Sequence, residues 1–118
     1  MKDCLFCKFV SGEIKTSIVY EDESVIAFRD INPQAAQHIL IVPRKHFDNI
    51  TKLEDVDREL AAHIFVDVIP AIAKKFGVDE SGFRLIINTG KDGGQSVNHL
   101  HIHLIGGEQL TNHFGKGV

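Results

Sequence analysis

The sequence has few of the features that mark specialised protein classes. Its 118 residues include only two cysteines and three prolines, so a framework of several disulfides is excluded. The net charge is only −3, which leaves no broad basic face for nucleic acid or anionic lipid. No apolar run approaches the ~20 residues of a membrane span, and no apolar signal segment follows Met1. We therefore expect one soluble domain over residues 1–118, located in the cytoplasm.

Hydrophobic patterns along the chain predict a small mixed domain. Apolar residues at helical spacing indicate a short helix over Cys4–Glu13 and a long helix that starts at Asp55 or Asp57 and ends at Gly77. Pro70 should kink the long helix, because proline lacks a backbone donor. Five apolar runs predict strands at Ile18–Tyr20, Val25–Phe28, His38–Val42, Phe83–Asn88 and His99–Ile105. We expect an α+β fold in which a mainly antiparallel five-stranded sheet packs against the long helix.

The most unusual feature is the number of histidines, seven in all, of which three alternate with apolar residues late in the chain. In a strand, His99, His101 and His103 would share one face at intervals of about 6.6–6.8 Å. Packing alone does not explain three such rings, because each carries polar nitrogens that need partners. Two chemistries fit. One is a metal site, since histidine is a common zinc ligand. The other is nucleophilic catalysis by one ring, with the others orienting it or donating protons.

The loop before the histidines favours the second chemistry. Gly93 and Gly94 allow backbone N–H groups to approach an anion closely, and Gln95 and Ser96 add side-chain donors. Such a loop suits a phosphate oxygen that gains charge during a reaction. A glycine pair alone is more often an ordinary turn. Next to three imidazoles, it indicates phosphoryl chemistry on an imidazole nucleophile.

The two cysteines, Cys4 and Cys7, have the spacing of half a zinc site. A structural zinc needs two more nitrogen or sulfur ligands. A redox pair is the second interpretation, but it usually follows a strand in a βαβ unit, which this sequence lacks. Two metal-free thiols are the third.

Taken together, these residues resemble the motifs of the histidine triad (HIT) family of nucleotide hydrolases and transferases. The matching segments, in chain order, are Asp30–Ala35, His38–His46, Gly93–Val97 and His99–Ile105. The resemblance extends from about Cys4 to Gly107 and is greatest for the branch of purine nucleoside phosphoramidases. The third histidine of the triad is present, as in the hydrolase branches, whereas the transferase branch has glutamine there.

The resemblance implies an enzyme that cleaves nucleoside 5′-phosphoramidates or related α-phosphate adducts through a covalent nucleotidyl-histidine intermediate. His101 would attack the phosphorus, and His103 would contact the phosphoryl oxygens and assist the leaving group. His38 would lie beside His101 and help to hold its tautomer. The other implied contacts are Asn88, Gly94, Gln95 and Ser96 on the phosphate, Asp30 on the ribose, and Leu5, Phe6, Phe9, Ile14, Phe28 and Ile31 around the base.

The resemblance also implies a structural zinc and a homodimer. Some family members hold zinc with the N-terminal cysteine pair and two histidines, and the matching residues here are Cys4, Cys7, His46 and His99. Such a closed site would pin the N-terminal helix to the sheet and give His99 a role separate from catalysis. Family dimers join their sheets edge to edge into one continuous sheet, which would cover the exposed edge of a five-stranded sheet.

Several features leave the specific function open. Glu108 stands where many relatives carry arginine, and the chain has no tryptophan, so the leaving group is not specified. Apolar contacts hold adenine or guanine. Two further hypotheses are a purine-nucleotide-binding regulatory protein without catalysis, and a zinc hydrolase with the three triad histidines as ligands. We expect His63 and His113 to be surface or packing residues.

Overall fold

The computed structural model describes residues 3–112, so His113 lies outside the described residues. Helix α1 comprises Leu5–Ser11 and begins after Cys4, whose Sγ accepts a hydrogen bond from the backbone N–H of Cys7 at 3.2 Å. It ends at Gly12, where a φ of 83° favours glycine. The prediction of a short N-terminal helix is confirmed, although the predicted range included its cap and the turn that follows.

The five predicted strands form one antiparallel sheet in the order β1-β2-β3-β5-β4. Their bounds are β1 Ile18–Glu21, β2 Val25–Arg29, β3 Gln37–Pro43, β4 Phe83–Ile86 and β5 Ile102–Gly106. β3 is central: its apolar run is almost entirely buried, as a strand covered on both faces requires.

The start of the last strand was predicted wrongly, because β5 begins at Ile102 and not at His99. The backbone N–H of His99 bonds to the carbonyl of Val97, and that of Leu100 bonds to the carbonyl of Phe47. His99 and Leu100 therefore belong to a loop, whose backbone hydrogen bonds go to the preceding turn and to the loop after β3. Of the three triad histidines, only His103 lies in the sheet.

The long helix is built from three consecutive segments: α2 Arg58–Ala62, a π-helical segment His63–Val68, and α3 Ile69–Lys75. A 3₁₀ turn over Asp55–Asp57 precedes it. The π-helical segment ends two residues before Pro70, which lies in the first turn of α3. The kink expected at Pro70 remains a prediction. Within residues 3–112, no helix has the length and apolar character needed to cross a bilayer.

Two apolar clusters cover the two faces of the sheet. The larger packs the long helix on β2, β3 and β5 and includes Ile39, Ile41, Val68, Ile72 and Leu104. The smaller lies under α1 and contains Phe6, Ile26, Phe28, Leu40 and Val42. Helix α1 is thus placed over the sheet face opposite the long helix, next to the end of β3 and the start of β5.

Candidate functional site

A cavity of about 190 Å³ lies between α1, the end of β2 and the start of β5. Its lining consists of aromatic and aliphatic side chains together with a few polar groups. The lining residues are Leu5, Phe6, Phe9, Thr16, Phe28, Arg29, Asp30, Ile31, Leu40, Ser96, Val97, His101 and His103. An apolar enclosure with a few convergent polar groups is the usual form of a small-molecule site.

The ring of His101 is buried at this cavity with one nitrogen committed to the backbone. Its Nδ1 lies 2.7 Å from the carbonyl oxygen of His99, and a carbonyl can only accept, so Nδ1 carries the proton. The lone pair is therefore on Nε2. The ring of Phe6 stands nearly perpendicular to that of His101, with centroids 5.0 Å apart, and this contact fixes the ring plane.

His103 has the opposite tautomer, which a chain of hydrogen bonds determines. The backbone N–H of Gln34 donates to Nδ1 of His38 at 3.0 Å, so the proton of a neutral His38 is on Nε2. That nitrogen lies 2.8 Å from Nδ1 of His103, which must accept. The proton of His103 is therefore on Nε2, the one buried side-chain nitrogen or oxygen among residues 3–112 that has no hydrogen-bond partner.

This geometry corrects the expected partner of His38. The sequence interpretation placed His38 beside His101, but in the β3–β5 register Leu40 faces His103 and His38 faces Ile105. The His38 side chain reaches the neighbouring His103 and leaves His101 to the backbone. Its position on a continuous strand holds the acceptor nitrogen of His103 in place.

Burial keeps both of these rings neutral. It lowers the pKa of His103 to about 4, with the neighbouring His101 and His38 acting in the same direction. Burial also lowers the pKa of His38, against the opposing charge of Asp30. Neutral rings are what the tautomer assignment requires. A bound phosphoryl anion would raise these pKa values again, because it stabilises the protonated form.

Asp30 directly follows β2, and its two carboxylate oxygens have different partners. Its Oδ1 accepts the backbone N–H of Asn32 at 2.8 Å, and its Oδ2 lies 3.5 Å from Nε2 of His38. The negative charge favours a proton on that nitrogen, which agrees with the tautomer deduced above. Asp30 also lines the cavity, so its remaining lone pairs are available to a ligand.

The glycine loop is held by Gln95. Its Oε1 accepts the backbone N–H of Gly90 at 2.9 Å, and its Nε2 donates to the carbonyls of Val97 at 2.9 Å and Asp48 at 2.6 Å. Both amide hydrogens are thus used inside the protein. Gln95 fixes the loop that presents Ser96 to the cavity.

The loop has a shape that only glycine permits. A Cβ at Gly93 would lie 2.4 Å from the carbonyl oxygen of Thr89, which is closer than real Cβ atoms come to another atom. Gly94 has a φ of 73°, in the region that glycine adopts without strain. The loop backbone is therefore tightly folded just before the segment with the histidines.

The structure brings most of the predicted nucleotide contacts together and leaves others outside the cavity lining. Those that line it are Leu5, Phe6, Phe9, Phe28, Asp30, Ile31, Ser96, His101 and His103. Those outside the lining are Ile14, His38, Asn88, Gly94 and Gln95. His38 lies behind His103, Asn88 follows β4 and is half-buried, and Ile14 is largely exposed beyond α1. The roles predicted for Ile14, Asn88 and Gly94 remain predictions. His38 bonds to His103 and not to the expected His101, and Gln95 uses its amide hydrogens on backbone carbonyls.

A second cluster joins the cysteines of the α1 region to two histidines. One ligand atom each from Cys4, Cys7, His46 and His99 lies within 4.8 Å of the others. The two sulfurs are 3.3 and 3.4 Å from Nδ1 of His99, and the two Nδ1 atoms are 3.1 Å apart. Tetrahedral zinc with its usual bond lengths separates such atoms by about 3.3–3.8 Å. A small expansion of the cluster would therefore fit the ion.

The hydrogen bonds on the far sides of the two rings support a cation between them. Nε2 of His99 lies 2.8 Å from the carbonyl of Pro43, and Nε2 of His46 lies 2.8 Å from a carboxylate oxygen of Asp48. Both acceptors require the proton on Nε2, so two Nδ1 lone pairs face each other. Thiol protons of the two cysteines or one shared cation can satisfy these lone pairs. The outer hydrogen bonds match those of metal-bound histidines.

The protein alone does not favour thiolates in this cluster. Burial raises the pKa of the Cys7 thiol to about 11, and the adjacent Cys4 acts in the same direction. A bound divalent cation would reverse this, because it stabilises the thiolate. The donor set of two sulfurs and two imidazole nitrogens fits zinc in a closed structural site.

The hypothesis of a zinc hydrolase with all three triad histidines as ligands is not supported. The ring of His99 faces the cysteines, while His101 and His103 face the cavity. Among residues 3–112, the second group that could hold a metal is Asp30, His38 and His103. Its two nitrogens lie at hydrogen-bond distance, 2.8 Å, closer than two ligands of one zinc ion.

The sequence of the chain matches the family model described as HIT domain over residues 11–110. The chain belongs to the HIT family. Among curated relatives, it is 42% identical over 109 residues to a purine nucleoside phosphoramidase of Escherichia coli, covering 92% of this chain and 91% of that protein. It is 44% identical over 109 residues to a 14 kDa zinc-binding protein of Zea mays, covering 91% and 84%.

Solved structures of HIT proteins have the same fold. A histidine triad protein from Clostridium difficile superposes with a TM-score of 0.91 at 49% identity, covering 97% of this chain and 98% of the other. The five-stranded antiparallel sheet with one long and one short helix is thus the HIT fold.

Sequence reasoning missed some residues of this HIT site. Thr16, Arg29, Leu40 and Val97 also line the cavity. Leu40 and Val97 lie within the matched segments but were assigned no role, and Thr16 and Arg29 lie outside those segments. The backbone amide of Gln34 was missed as well. Its signal was present in the sequence, since Gln34 follows the turn Asn32–Pro33 and lies four residues before His38, but only coordinates reveal where an amide points.

Proposed function

We propose that this chain is a nucleotide hydrolase that cleaves nucleoside 5′-phosphoramidates or related α-phosphate adducts through a covalent intermediate on His101. The observation that carries the proposal is the pair of opposite tautomers at the cavity. His101 offers a lone pair on Nε2, and His103 offers a proton on Nε2, with ring centroids 5.0 Å apart. A nucleophile and a proton donor side by side are the minimum that a two-step displacement needs.

In the first step, the Nε2 lone pair of His101 attacks the α-phosphorus. The bond from phosphorus to the leaving nitrogen breaks, and its electron pair passes to that nitrogen. The amine departs with the Nε2 proton of His103, which enters this step as the imidazolium that a bound phosphoryl anion favours and leaves it as a neutral ring. The phosphorylated His101 ring becomes positively charged. Its Nδ1–H remains bonded to the carbonyl of His99, which stabilises that charge.

In the second step, water attacks the same phosphorus. Its proton passes to Nε2 of His103, the bond from phosphorus to His101 breaks, and the electron pair returns to the imidazole. The products are a nucleoside monophosphate and the amine, and both rings regain the protonation states in which they began the cycle. A bound phosphoryl anion raises the pKa of His103 from the low value set by burial, towards the range in which imidazole exchanges protons near pH 7.

The rest of the cavity suits a nucleoside 5′-phosphate. The aromatic side chains of Phe6, Phe9 and Phe28 form an apolar enclosure for a base, and apolar contacts accept adenine or guanine. Asp30 would accept hydrogen bonds from the ribose hydroxyls. Ser96, supported by the loop that Gln95 fixes, would donate to the phosphate. We assign Asn88 and the Gly94 backbone to the same phosphate as predictions from the family motif.

The similarity to a purine nucleoside phosphoramidase supports the choice of substrate class. The similarity to a zinc-binding protein, with the two facing Nδ1 lone pairs, supports zinc on Cys4, Cys7, His46 and His99. Zinc would supply a structural crosslink between α1 and the segment before β5. It would leave the chemistry to the residues of the cavity.

We further propose a cytoplasmic homodimer. β4 is an edge strand of the sheet, and Phe83 at its start is 36% exposed. Phe65 and Val66 of the π-helical segment are 47% and 69% exposed, unusual for large apolar side chains on one helix. A second copy that pairs with the β4 edge would cover an otherwise open strand. Sedimentation equilibrium of the wild type and of a Val66→Glu variant tests the dimer.

The experiment that tests the proposed reaction uses His101→Ala and an adenosine phosphoramidate with a fluorogenic amine. We expect turnover to fall at least about a thousandfold, because the nucleophile is lost, while the affinity for AMP stays close to wild type. Rapid acid quench of the wild type with substrate labelled in the phosphate should yield labelled protein that the variant does not form.

Turnover retained by His101→Ala, or tight AMP binding without any labelled wild-type protein, would contradict the proposal. The second result would instead favour the hypothesis of a regulatory nucleotide-binding protein.

A further inference from the structure

We infer that the Cys4/Cys7/His46/His99 cluster is a positioning device for the nucleotide site, so that zinc and nucleotide bind cooperatively. The inference rests on the zinc site and the nucleotide site proposed above and goes beyond both. Three separate structural connections between the cluster and the cavity support it.

The first connection is helix α1, which contributes to both sites. Cys4 and Cys7 face the cluster, while Leu5, Phe6 and Phe9 line the cavity. The helix has only seven residues, too few to be stable by itself in water. Its position therefore depends on its anchors, and the cysteines are two of them.

The second connection is His99 itself. Its side chain is fully buried and is a candidate metal ligand, while its backbone carbonyl accepts the Nδ1 proton of His101. The ring is held on its other side by the carbonyl of Pro43. A metal ion on Nδ1 would fix the residue whose carbonyl sets the tautomer of the nucleophile.

The third connection runs through Asp48. Its side chain bonds to Nε2 of His46, and its backbone carbonyl accepts a hydrogen bond from the side chain of Gln95. Gln95 holds the loop that brings Ser96 to the cavity. The second histidine of the cluster is thus linked to the loop assigned to the phosphate.

These connections place the wall of the base pocket, the nucleophile and the phosphate loop on residues adjoining the cluster. Zinc would order all three, so a nucleotide would bind an already ordered site. Coupling between two binding equilibria is reciprocal: if zinc strengthens nucleotide binding by a given factor, the nucleotide strengthens zinc binding by the same factor. Coupling between sites in proteins is typically about 5- to 150-fold.

The test is to measure both affinities in the wild-type chain. Zinc affinity is measured by competition with a chromophoric chelator, without and with saturating AMP, and AMP affinity by calorimetry on metal-free and zinc-saturated protein. A titration of zinc with AMP alone corrects for their direct association. We expect each ligand to tighten the binding of the other at least tenfold, and by the same factor within error.

Two variants locate the effect. Cys7→Ser should lose tight zinc binding, and its AMP affinity should equal that of the metal-free wild type. Phe6→Leu keeps all four candidate ligands but loses the ring contact with His101. It should bind zinc as the wild type does without AMP, and its coupling factor should be smaller than that of the wild type, because the connection through α1 is weakened.

The outcomes separate this inference from the proposals on which it depends. Absence of tight zinc binding would overturn the metal site and the inference together. Absence of AMP binding to either form would overturn the nucleotide site and the inference. Tight binding of both ligands with unchanged affinities would overturn the inference alone.

Discussion

The two histidine clusters of this protein use the same side chain in opposite ways. In the cysteine cluster, both rings donate Nε2 protons outward, and their Nδ1 lone pairs converge at 3.1 Å. At the cavity, His38 donates to His103, whose Nε2 proton has no partner. His101 instead donates its Nδ1 proton to the carbonyl of His99 and keeps a lone pair on Nε2. The comparison teaches that the partner of one ring nitrogen decides whether the other suits a metal or a reaction.

Removal of the free proton at the cavity is expected to have the largest effect. His103→Asn keeps a side chain that can accept from His38 but loses Nε2–H. We expect turnover of a phosphoramidate with a poorly leaving alkylamine to fall about 10²- to 10⁴-fold, the range for loss of a proton donor. Steady-state kinetics with an arylamine, which needs less protonation, should reveal a smaller loss. An equal loss for both amines would argue against proton donation by His103.

Zinc binding to the cysteine cluster is expected to raise the free energy of unfolding by a large amount, with little direct effect on the reaction. Free zinc at 100 times its dissociation constant should raise the free energy of unfolding by about 2.7 kcal/mol, because only the folded chain presents the assembled site. Urea unfolding with buffered zinc measures this, and Cys7→Ser, which lacks one thiolate ligand, is the control. Equal stabilisation of the variant would place the zinc elsewhere.

The hydrogen bond from His38 to His103 predicts that a donor group at position 38 matters more for turnover than the imidazole ring itself. His38→Leu leaves Nδ1 of His103 without a donor, so the ring can move its proton to Nδ1. We expect turnover to fall about tenfold, equivalent to about 1.4 kcal/mol. His38→Gln, whose amide can still donate at the position of Nε2, should recover most of it. If both variants behave alike, with similar thermal stability, the tautomer assignment is wrong.

His63 lies outside both clusters and should give the smallest effect. Its ring bridges Asp22 at 2.7 Å and Asp67 at 2.8 Å, and these carboxylates raise its pKa. Because the folded state binds the proton more tightly, this stabilisation is complete below the unfolded pKa of about 6.5 and is lost as pH rises through the raised folded pKa.

For such a half-exposed pair, the change should stay below about 1 kcal/mol. Urea midpoints of the wild type and His63→Gln between pH 5.5 and 8.5 measure it. The difference between the two proteins should shrink with rising pH. A constant difference would mean that the protonation of His63 does not contribute.

Much of the fold followed from local patterns, and its errors have local causes. The buried run of β3 was placed within one residue at each end, since a continuous apolar segment that ends in proline has few alternatives. The start of β5 was misplaced because alternation of polar and apolar residues also fits an extended loop. His99 and His101 continue the period of two without entering the sheet.

The candidate site was predictable as a set of residues more than as an arrangement. The spacing of the histidines and the glycine loop pointed to His101 and His103, which do meet at one cavity. The partner of His38 depended on the β3–β5 register, and register depends on where β5 starts. The commitment of Gln95 to three backbone groups involves a residue 47 positions away, which no local pattern encodes. His63, expected at the surface or in packing, is a bridge between the β1–β2 turn and the long helix.

The proton on Nδ1 of His101 is held by a main-chain oxygen, which every amino acid possesses. No substitution at position 99 can delete that acceptor; it can only alter how firmly the peptide group is held. A descendant of this protein could therefore exchange the candidate metal ligand at this position for a well-packed apolar side chain and keep the same proposed nucleophile. The candidate metal site and the proposed nucleophile are in this sense separately heritable, although here they meet in one residue.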